Sequence, residues 1–195
     1  MIKYIGINKL TRQQEATLTE RSFHGFGPVG DENSTVLILG SFPSVRSRAD
    51  GFYYAHPRNR FWPLLARLLE EPLPQSIPEK KALLARHGIA LWDVAESCLV
   101  IGSGDNTIRE VTPVNIRGLL ELSPIRAVFC NGSTAWQLYM EYLYPVTQME
   151  AVKLPSTSPA NAAVGDEALF ARWSRLLLPA LSSGDGFSDP VFSEK

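Results

Sequence analysis

The chain has 195 residues, 45% of them hydrophobic and 20% charged, the make-up of one ordinary globular domain with a core of its own. Its formal net charge of −1 gives no global support for nucleic-acid binding. No apolar run approaches the roughly 20 residues of a membrane span, the N-terminal stretch lacks the apolar centre of a signal peptide, and Cys98 and Cys130 are too few for a disulfide framework or a four-thiolate cluster.

Both cysteines sit among apolar residues, so buried free thiols and a reducing, cytoplasmic setting are expected. TVLILG (residues 35–40) reads as a fully buried strand, followed from 40 to 58 by a loop without regular structure. From about Asn59 the spacing of Phe61, Leu64, Leu65, Leu68 and Leu69 predicts a helix, with Pro63 tolerated near its first turn. Pro78 opens a second helix that Gly88 closes, and IALWDV (89–94) is the second strand. Pro113 is expected to start a helix through VNIRGLLEL, leading into the strand IRAVFCN (125–131). Ser133 or Thr134 then caps AWQLYMEYL, and EAVKLP (150–155) is the fourth strand. DEALFARWSRLLLPAL is the last helix, with Leu169, Trp173, Leu176, Leu177 and Ala180 as its core face.

This alternation predicts the α/β class: a three-layer α/β/α sandwich around a central, mainly parallel four-stranded sheet. In such a sheet ligands bind beyond the C-terminal ends of the strands, which selects residues 40–58, 93–112, 131–133 and 155–165. The first segment is long enough to be functional. Between Ser41 and Arg60 the chain carries Arg46, Arg48, Arg58 and Arg60 against a single acid, Asp50. Such a patch either holds phosphates or is an ordinary solvated loop.

Several motifs fail. GSFPS (40–44) lacks the later glycines of a dinucleotide fingerprint and the Gly-Lys-Ser/Thr of a Walker loop. GSTAW, around Ser133, lacks the second glycine of a nucleophile elbow, and His24, His56 and His87 have no metal-ligand spacing. No metal and no cofactor are therefore expected. GSFPS can instead present backbone N–H groups and small hydroxyls to an anion or a polar ring edge. GFYYAHPRNRFW (51–62) adds five aromatic rings, Asn59 and two arginines. Rings beside cations suit nucleobase recognition. The plainer alternative is loop and core packing.

LILGSFPS followed by GFYYAHPRNRFW resembles the uracil-DNA glycosylase superfamily. The second block is similar to the Phe-Ala-His-Pro-x-Asn-Arg-Phe-Trp segment of the mismatch-specific enzymes. The Gly-Ser-Phe-Pro start is most like the hypoxanthine-DNA glycosylase branch. LPSTSPANA (154–162) resembles that branch's second motif, matching the wider superfamily at Pro155 and Ser156, and Asp93 falls where uracil-specific relatives read the base with Asn. The resemblance runs from about Phe26 to Leu181. It implies one glycosylase-like domain over 26–181 with an extension over residues 1–25 ahead of it, and the Gly/Ser-rich, net acidic tail over 182–195 is expected from its composition to be disordered. Two departures stand out: Phe42 occupies the position of the water-activating Asp or Asn, and Leu154 that of the His that stabilises the leaving base.

The resemblance implies a monofunctional enzyme that flips a deaminated base out of DNA and hydrolyses its N-glycosidic bond in base excision repair. Hypoxanthine is the first expected base. The alternatives are a uracil- or mismatch-directed enzyme and a non-catalytic nucleic-acid-binding module of the same fold. Asn59 is expected to position the water, or to cap the following helix. Tyr54 is expected to stack on the base, Asp93 to accept its ring N–H or serve as a strand-end cap, and the backbone at Ser41 and Phe42 to bind its oxygen. Ser44, Arg58, Ser156, Ser158 and Asn161 are expected at the DNA backbone. His56 is expected to be structural, the protein to be a monomer, and DNA with deaminated bases to be its partner.

Overall fold

The structure is a computed structural model that describes residues 21–182. Residues 1–20 and 183–195, which hold most of the expected extension and tail, lie outside the described residues.

β2 (Val36–Gly40), β3 (Ile89–Asp93), β6 (Ala127–Asn131) and β7 (Ala151–Leu154) form a four-stranded sheet in the order β3-β2-β6-β7, with every pair parallel. All residues of β2, β3 and β6 are buried, as apolar strands covered on both faces must be. Helices flank the sheet: α1 (Val45–Asp50), α2 (Phe61–Leu68), α3 (Ile77–Arg86), α4 (Arg117–Leu122), α5 (Ser133–Leu138), α6 (Tyr144–Thr147) and α7 (Asp166–Ser182). The core closes around Trp173, Phe61, Tyr139 and Phe129 against the sheet. The expected α/β architecture, a four-stranded parallel sheet flanked by helices, is what the chain adopts.

From β2 the chain moves to one neighbour, β3, and later returns to the other side as β6. That reversal opens a crevice at the C-terminal ends of β2 and β6, where open parallel sheets bind ligands.

Three local expectations need correction. The stretch 40–58 is not free of regular structure, because it contains α1. Ser44 caps that helix by accepting the Ser47 N–H, and Gly51 ends it at φ 65°. Pro113 does not start a helix. It ends β5 (Arg109–Pro113), which pairs antiparallel with β4 (Ala95–Leu99), and α4 begins only at Arg117. Ser133 and Thr134 are not caps either. Gly132 holds that position at φ 108°, and no side chain caps the helix, which loosens into a π turn over Tyr139–Leu143 before α6.

The β4–β5 pair belongs to a second sheet, β1-β4-β5, completed by β1 (Arg21–Phe23) with Ser22 opposite Cys98. The folded unit thus includes residues 21–25, ahead of the expected boundary at Phe26. The segment RSF shows no apolar alternation because its contribution is backbone pairing. Phe42, Ala95, Cys98, Val100 and Ile108 form a small separate core under this sheet. Cys98 and Cys130 are buried free thiols, and burial pushes them up to about 11 and about 12.

Gly132 sets the path from β6 into the helix. A Cβ there would meet the Ser156 Cβ at 3.0 Å and demand a positive φ that L-residues avoid. Gly132→Ala is expected to lower unfolding free energy by about 1–3 kcal/mol in chemical denaturation. An unchanged midpoint would mean that the turn relaxes freely.

Candidate active site

A cavity of about 440 Å³ occupies the crevice beyond β2, β3 and β6. Its floor depends on the register Gly40↔Asp93 between β2 and β3. An alanine Cβ at Gly40 would lie only 2.0 Å from Asp93 Oδ1 and 3.4 Å from the Tyr54 hydroxyl, so only glycine leaves room for both groups. Asp93 is 3% exposed, and its Oδ2 lies 2.9 Å from Nε2 of His24, which is fully buried. The other ring nitrogen of His24, Nδ1, has no partner among the described residues. Oδ1, the oxygen against Gly40, makes no hydrogen bond among the described residues, and Asp93 lines the cavity.

Tyr54 forms a wall. Its ring stacks on Phe61 with centroids 3.9 Å apart and planes 19° apart. Its backbone is left-handed, φ 53°, which is costly for a bulky residue. The hydroxyl lies near Asn131 and Asp93 and completes no hydrogen bond among the described residues, and burial raises its pKa far above the usual phenol value. Phe42 packs edge-on to His24 and carries the Arg48 guanidinium 5.1 Å above its ring. Its N–H has no hydrogen-bond acceptor among the described residues.

Asn59 is half-buried and lines the same cavity. Its Oδ1 accepts the Phe61 N–H at 3.0 Å, so the side chain does tether the start of α2, although the cap position itself is Arg60. The tether fixes the amide, and among the described residues the second lone pair of Oδ1 and both Nδ2 hydrogens have no partner. His56 accepts the Arg58 N–H at Nδ1, which locks its ring at the rim. Ser41 is 6% exposed and donates to Asp105 Oδ1 at 3.0 Å.

The second motif forms the opposite lip. Asn131, at the end of β6, donates to Thr157 Oγ1 at 2.9 Å and accepts the Thr157 N–H at 3.0 Å. The lone pairs of the Ser156 and Ser158 hydroxyls take backbone N–H groups at Ser158 and Ala160, which leaves both hydroxyl hydrogens free to donate. Two residues expected at the DNA backbone line the cavity or the adjoining groove and also make hydrogen bonds within the protein. Asn161 lies outside this cavity and gives its amide to the Ser156 carbonyl, and Ser44 donates to Ser47 Oγ while capping α1. Both shape the lips of the cavity.

The arginine patch read from sequence largely dissolves. Arg46 pairs with Asp50, Arg48 donates to the Pro43 carbonyl, and Arg60 binds the Val164 and Asn161 carbonyls and Asp166. Only Arg58 remains exposed at the cavity without a side-chain partner among the described residues. A second groove adjoins the cavity through Asp105, Ser156 and Ser158, and it contains Lys153, Arg172 and Arg175. All three are exposed, and among the described residues none makes a salt bridge.

The sequence reading therefore missed His24, Asp105, Asn131, Thr157 and the cations of α7. His24 and Asp105 reach the site through the second sheet, whose pairing no local pattern announces. Among the described residues, no group of three or more His, Cys, Asp or Glu side chains could hold a metal ion, and no helix is long and apolar enough to cross a membrane.

The profile of the Uracil DNA glycosylase superfamily matches residues 28–177. A protein of Methanosarcina acetivorans named hypoxanthine DNA glycosylase is 38% identical over 139 residues, 70% of this chain and 87% of its own. A protein of Methanosarcina barkeri with the same name is 36% identical over 140 residues, with the same coverage of both chains. A solution NMR structure from M. acetivorans, described as a candidate uracil DNA glycosylase, superposes with a TM-score of 0.65 at 33% identity. It covers 78% of this chain and 96% of its own.

His24→Ala would strand a buried carboxylate without its partner, at a cost of about 3–5 kcal/mol. Urea denaturation near neutral pH is expected to show that loss. A variant as stable as the parent would mean that Asp93 does not depend on His24.

Proposed function

The chain belongs to the uracil DNA glycosylase superfamily, and we propose that it is a monofunctional DNA glycosylase that releases hypoxanthine from deoxyinosine. The observation that carries this reading is the convergence of Ser41, Tyr54, Asn59 and Asp93 on one cavity at the switch point of the sheet. The two Methanosarcina relatives named for hypoxanthine support the choice of base.

The chemistry follows from what each group can do. A base enters the cavity only when flipped out of the stack, and it then lies against the face of Tyr54. Asp93 Oδ1 accepts the N1–H of the hypoxanthine ring, while its other oxygen is held by His24. Adenine has a lone pair at N1 instead of a hydrogen, so the same carboxylate repels it. The Phe42 N–H is suited to the lactam oxygen, and it strengthens its hold as negative charge builds on the departing base. Asn59 orients the attacking water through the lone pair of Oδ1 that Phe61 leaves open. An amide accepts a hydrogen bond but takes no proton, so its effect is orientation.

Outside the cavity the DNA backbone is held by Arg58 and the Ser156 and Ser158 hydroxyls on its lips, and by Lys153, Arg172 and Arg175 along the adjoining groove. These contacts position the strand without reading sequence. The enzyme works as a monomer on DNA in the reducing cytoplasm.

Base release from end-labelled oligonucleotides carrying deoxyinosine, deoxyuridine or deoxyxanthosine tests the reaction. Hypoxanthine release is expected to dominate, and Asn59→Ala is expected to slow it by about 10²–10³ at saturating enzyme. Dominant uracil release would change the substrate, and no release from any of the three would sink the catalytic reading. For the groove, Arg172→Gln with Arg175→Gln is expected to flatten the plot of log affinity for abasic-site DNA against log salt by about one to two units. An unchanged slope would remove the groove from the DNA path.

A further inference from the structure

We propose that Asp105 is the general base of the reaction: its carboxylate takes the proton of the water that attacks C1′. The inference rests on the glycosylase reading above, and it fills a gap in it. The first motif holds Phe42 where a carboxylate or amide would be expected, and the amide of Asn59 accepts no proton.

Asp105 stands outside both motifs. It begins the 3₁₀ turn Asp105–Thr107 at the tip of the β4–β5 hairpin, and it comes to the end of β2 through the Ser41 hydroxyl, 3.0 Å from Oδ1. The backbone N–H of Val45 donates to Ser103 Oγ at 3.0 Å and ties the same tip to the start of α1. One tether therefore holds the carboxylate and the other the loop that carries it, and Asp105 still lines the cavity.

Depth assigns its role. Asp93 and Ser41 lie at the floor, 3% and 6% exposed, where a base edge would be read. Asp105 is an exposed residue of the rim that lines both the cavity and the groove, where the sugar of a flipped nucleotide would lie. No other side chain on the cavity wall fits the task. Asp93 lies at the floor with one oxygen held by His24 and the other given to the base edge, and His56 already accepts at Nδ1 from the Arg58 backbone. Tyr53 and Tyr54 are held as phenols far above neutrality, and Arg58 is a cation.

The surroundings favour proton uptake. The residue is exposed overall, but its carboxylate is turned onto the part-buried Ser41 hydroxyl, so desolvation is the largest influence raising the Asp105 pKa; the negative charge of Asp93 adds to it, and the Ser41 hydrogen bond acts in the opposite direction. Tyr54 and Cys98 are the other titratable groups that feel Asp105, and His56 and Arg58 share the cavity wall. A carboxylate raised toward the working pH is a better base than an ordinary one.

The step balances without a co-reactant. The oxygen of water bonds to C1′ as the C1′–N9 bond breaks, and that bonding pair leaves on the purine. The water proton passes to Asp105 and on to solvent, and the purine anion takes a proton from solvent.

The test is single-turnover hypoxanthine release between pH 4 and 9 for wild type, Asp105→Asn and Asp105→Glu, with thermal unfolding and abasic-site DNA binding measured alongside. Asparagine keeps an oxygen for the Ser41 hydroxyl, so a purely structural Asp105 predicts a near wild-type rate and an unchanged pH profile. The proposal predicts a wild-type rate that falls as the pH drops through the Asp105 pKa. In Asp105→Asn the rate is expected to fall by about 10²–10⁴ with that acidic limb gone, while Asp105→Glu retains the limb. Folding and product binding stay within about threefold of wild type. A wild-type-like rate or limb in Asp105→Asn overturns the assignment while the glycosylase reading stands. No release by the wild type from any substrate overturns the glycosylase reading itself, and this inference with it.

Discussion

The register that sets Gly40 opposite Asp93 is the constraint on which the rest of the site depends. It brings a carboxylate to the end of a buried strand, where a charge is costly unless a partner is supplied. The missing Cβ of Gly40 provides room for that carboxylate, and His24 provides the partner. His24 is in turn held because Phe23 ends a strand paired to β4, and the His24 N–H continues the pairing to the Glu96 carbonyl. A short N-terminal strand with little apolar surface is thus tied to the floor of the cavity. Shifting β3 against β2 by one residue would turn Asp93 to the other face and away from Gly40.

Arg60 extends the same economy of contacts across the crevice. Its guanidinium bonds the Val164 and Asn161 carbonyls, and its backbone N–H donates to the Thr157 carbonyl. Thr157 is clamped to Asn131 by two reciprocal hydrogen bonds. The loop after β2 and the loop after β7 are therefore locked to each other and to the end of β6. This explains why cations close together in sequence do different work. Arg60 fixes the two lips relative to one another, Arg48 covers Phe42, and Arg58 alone faces outward at the cavity.

How much of this was legible in the sequence follows from the range of the signals. The sheet could be read because TVLILG, IALWDV and AVFCN are apolar runs whose length and flanks resolve locally. Tyr54, Asn59 and Ser156 could be read because they lie in compact motifs beside strand ends. The second sheet could not, because β4 carries Glu96 and Ser97 and β5 carries Arg109 and Glu110, so neither shows the alternation of a half-buried strand. Its partners are chosen by backbone pairing over long separations, and with it went His24 and Asp105. The arginine patch failed for the converse reason. Local composition counts cations, but only the fold decides which of them meet a carboxylate or a carbonyl.

The site also holds groups that work against stability. Tyr54 keeps a left-handed backbone, and among the described residues its hydroxyl and His24 Nδ1 are buried without a hydrogen bond. Each such feature costs on the order of 1–3 kcal/mol. Packing alone offers no reason to retain them, since a smaller residue at 54 would relieve the backbone and remove the buried oxygen. They persist because the surrounding contacts over-determine them: Phe61 behind the Tyr54 ring, Gly40 beneath its hydroxyl, and Phe26 and Tyr53 against His24. A fold that spends rigid aromatic packing to hold a strained ring and a buried carboxylate beside an open cavity is organised around what enters that cavity.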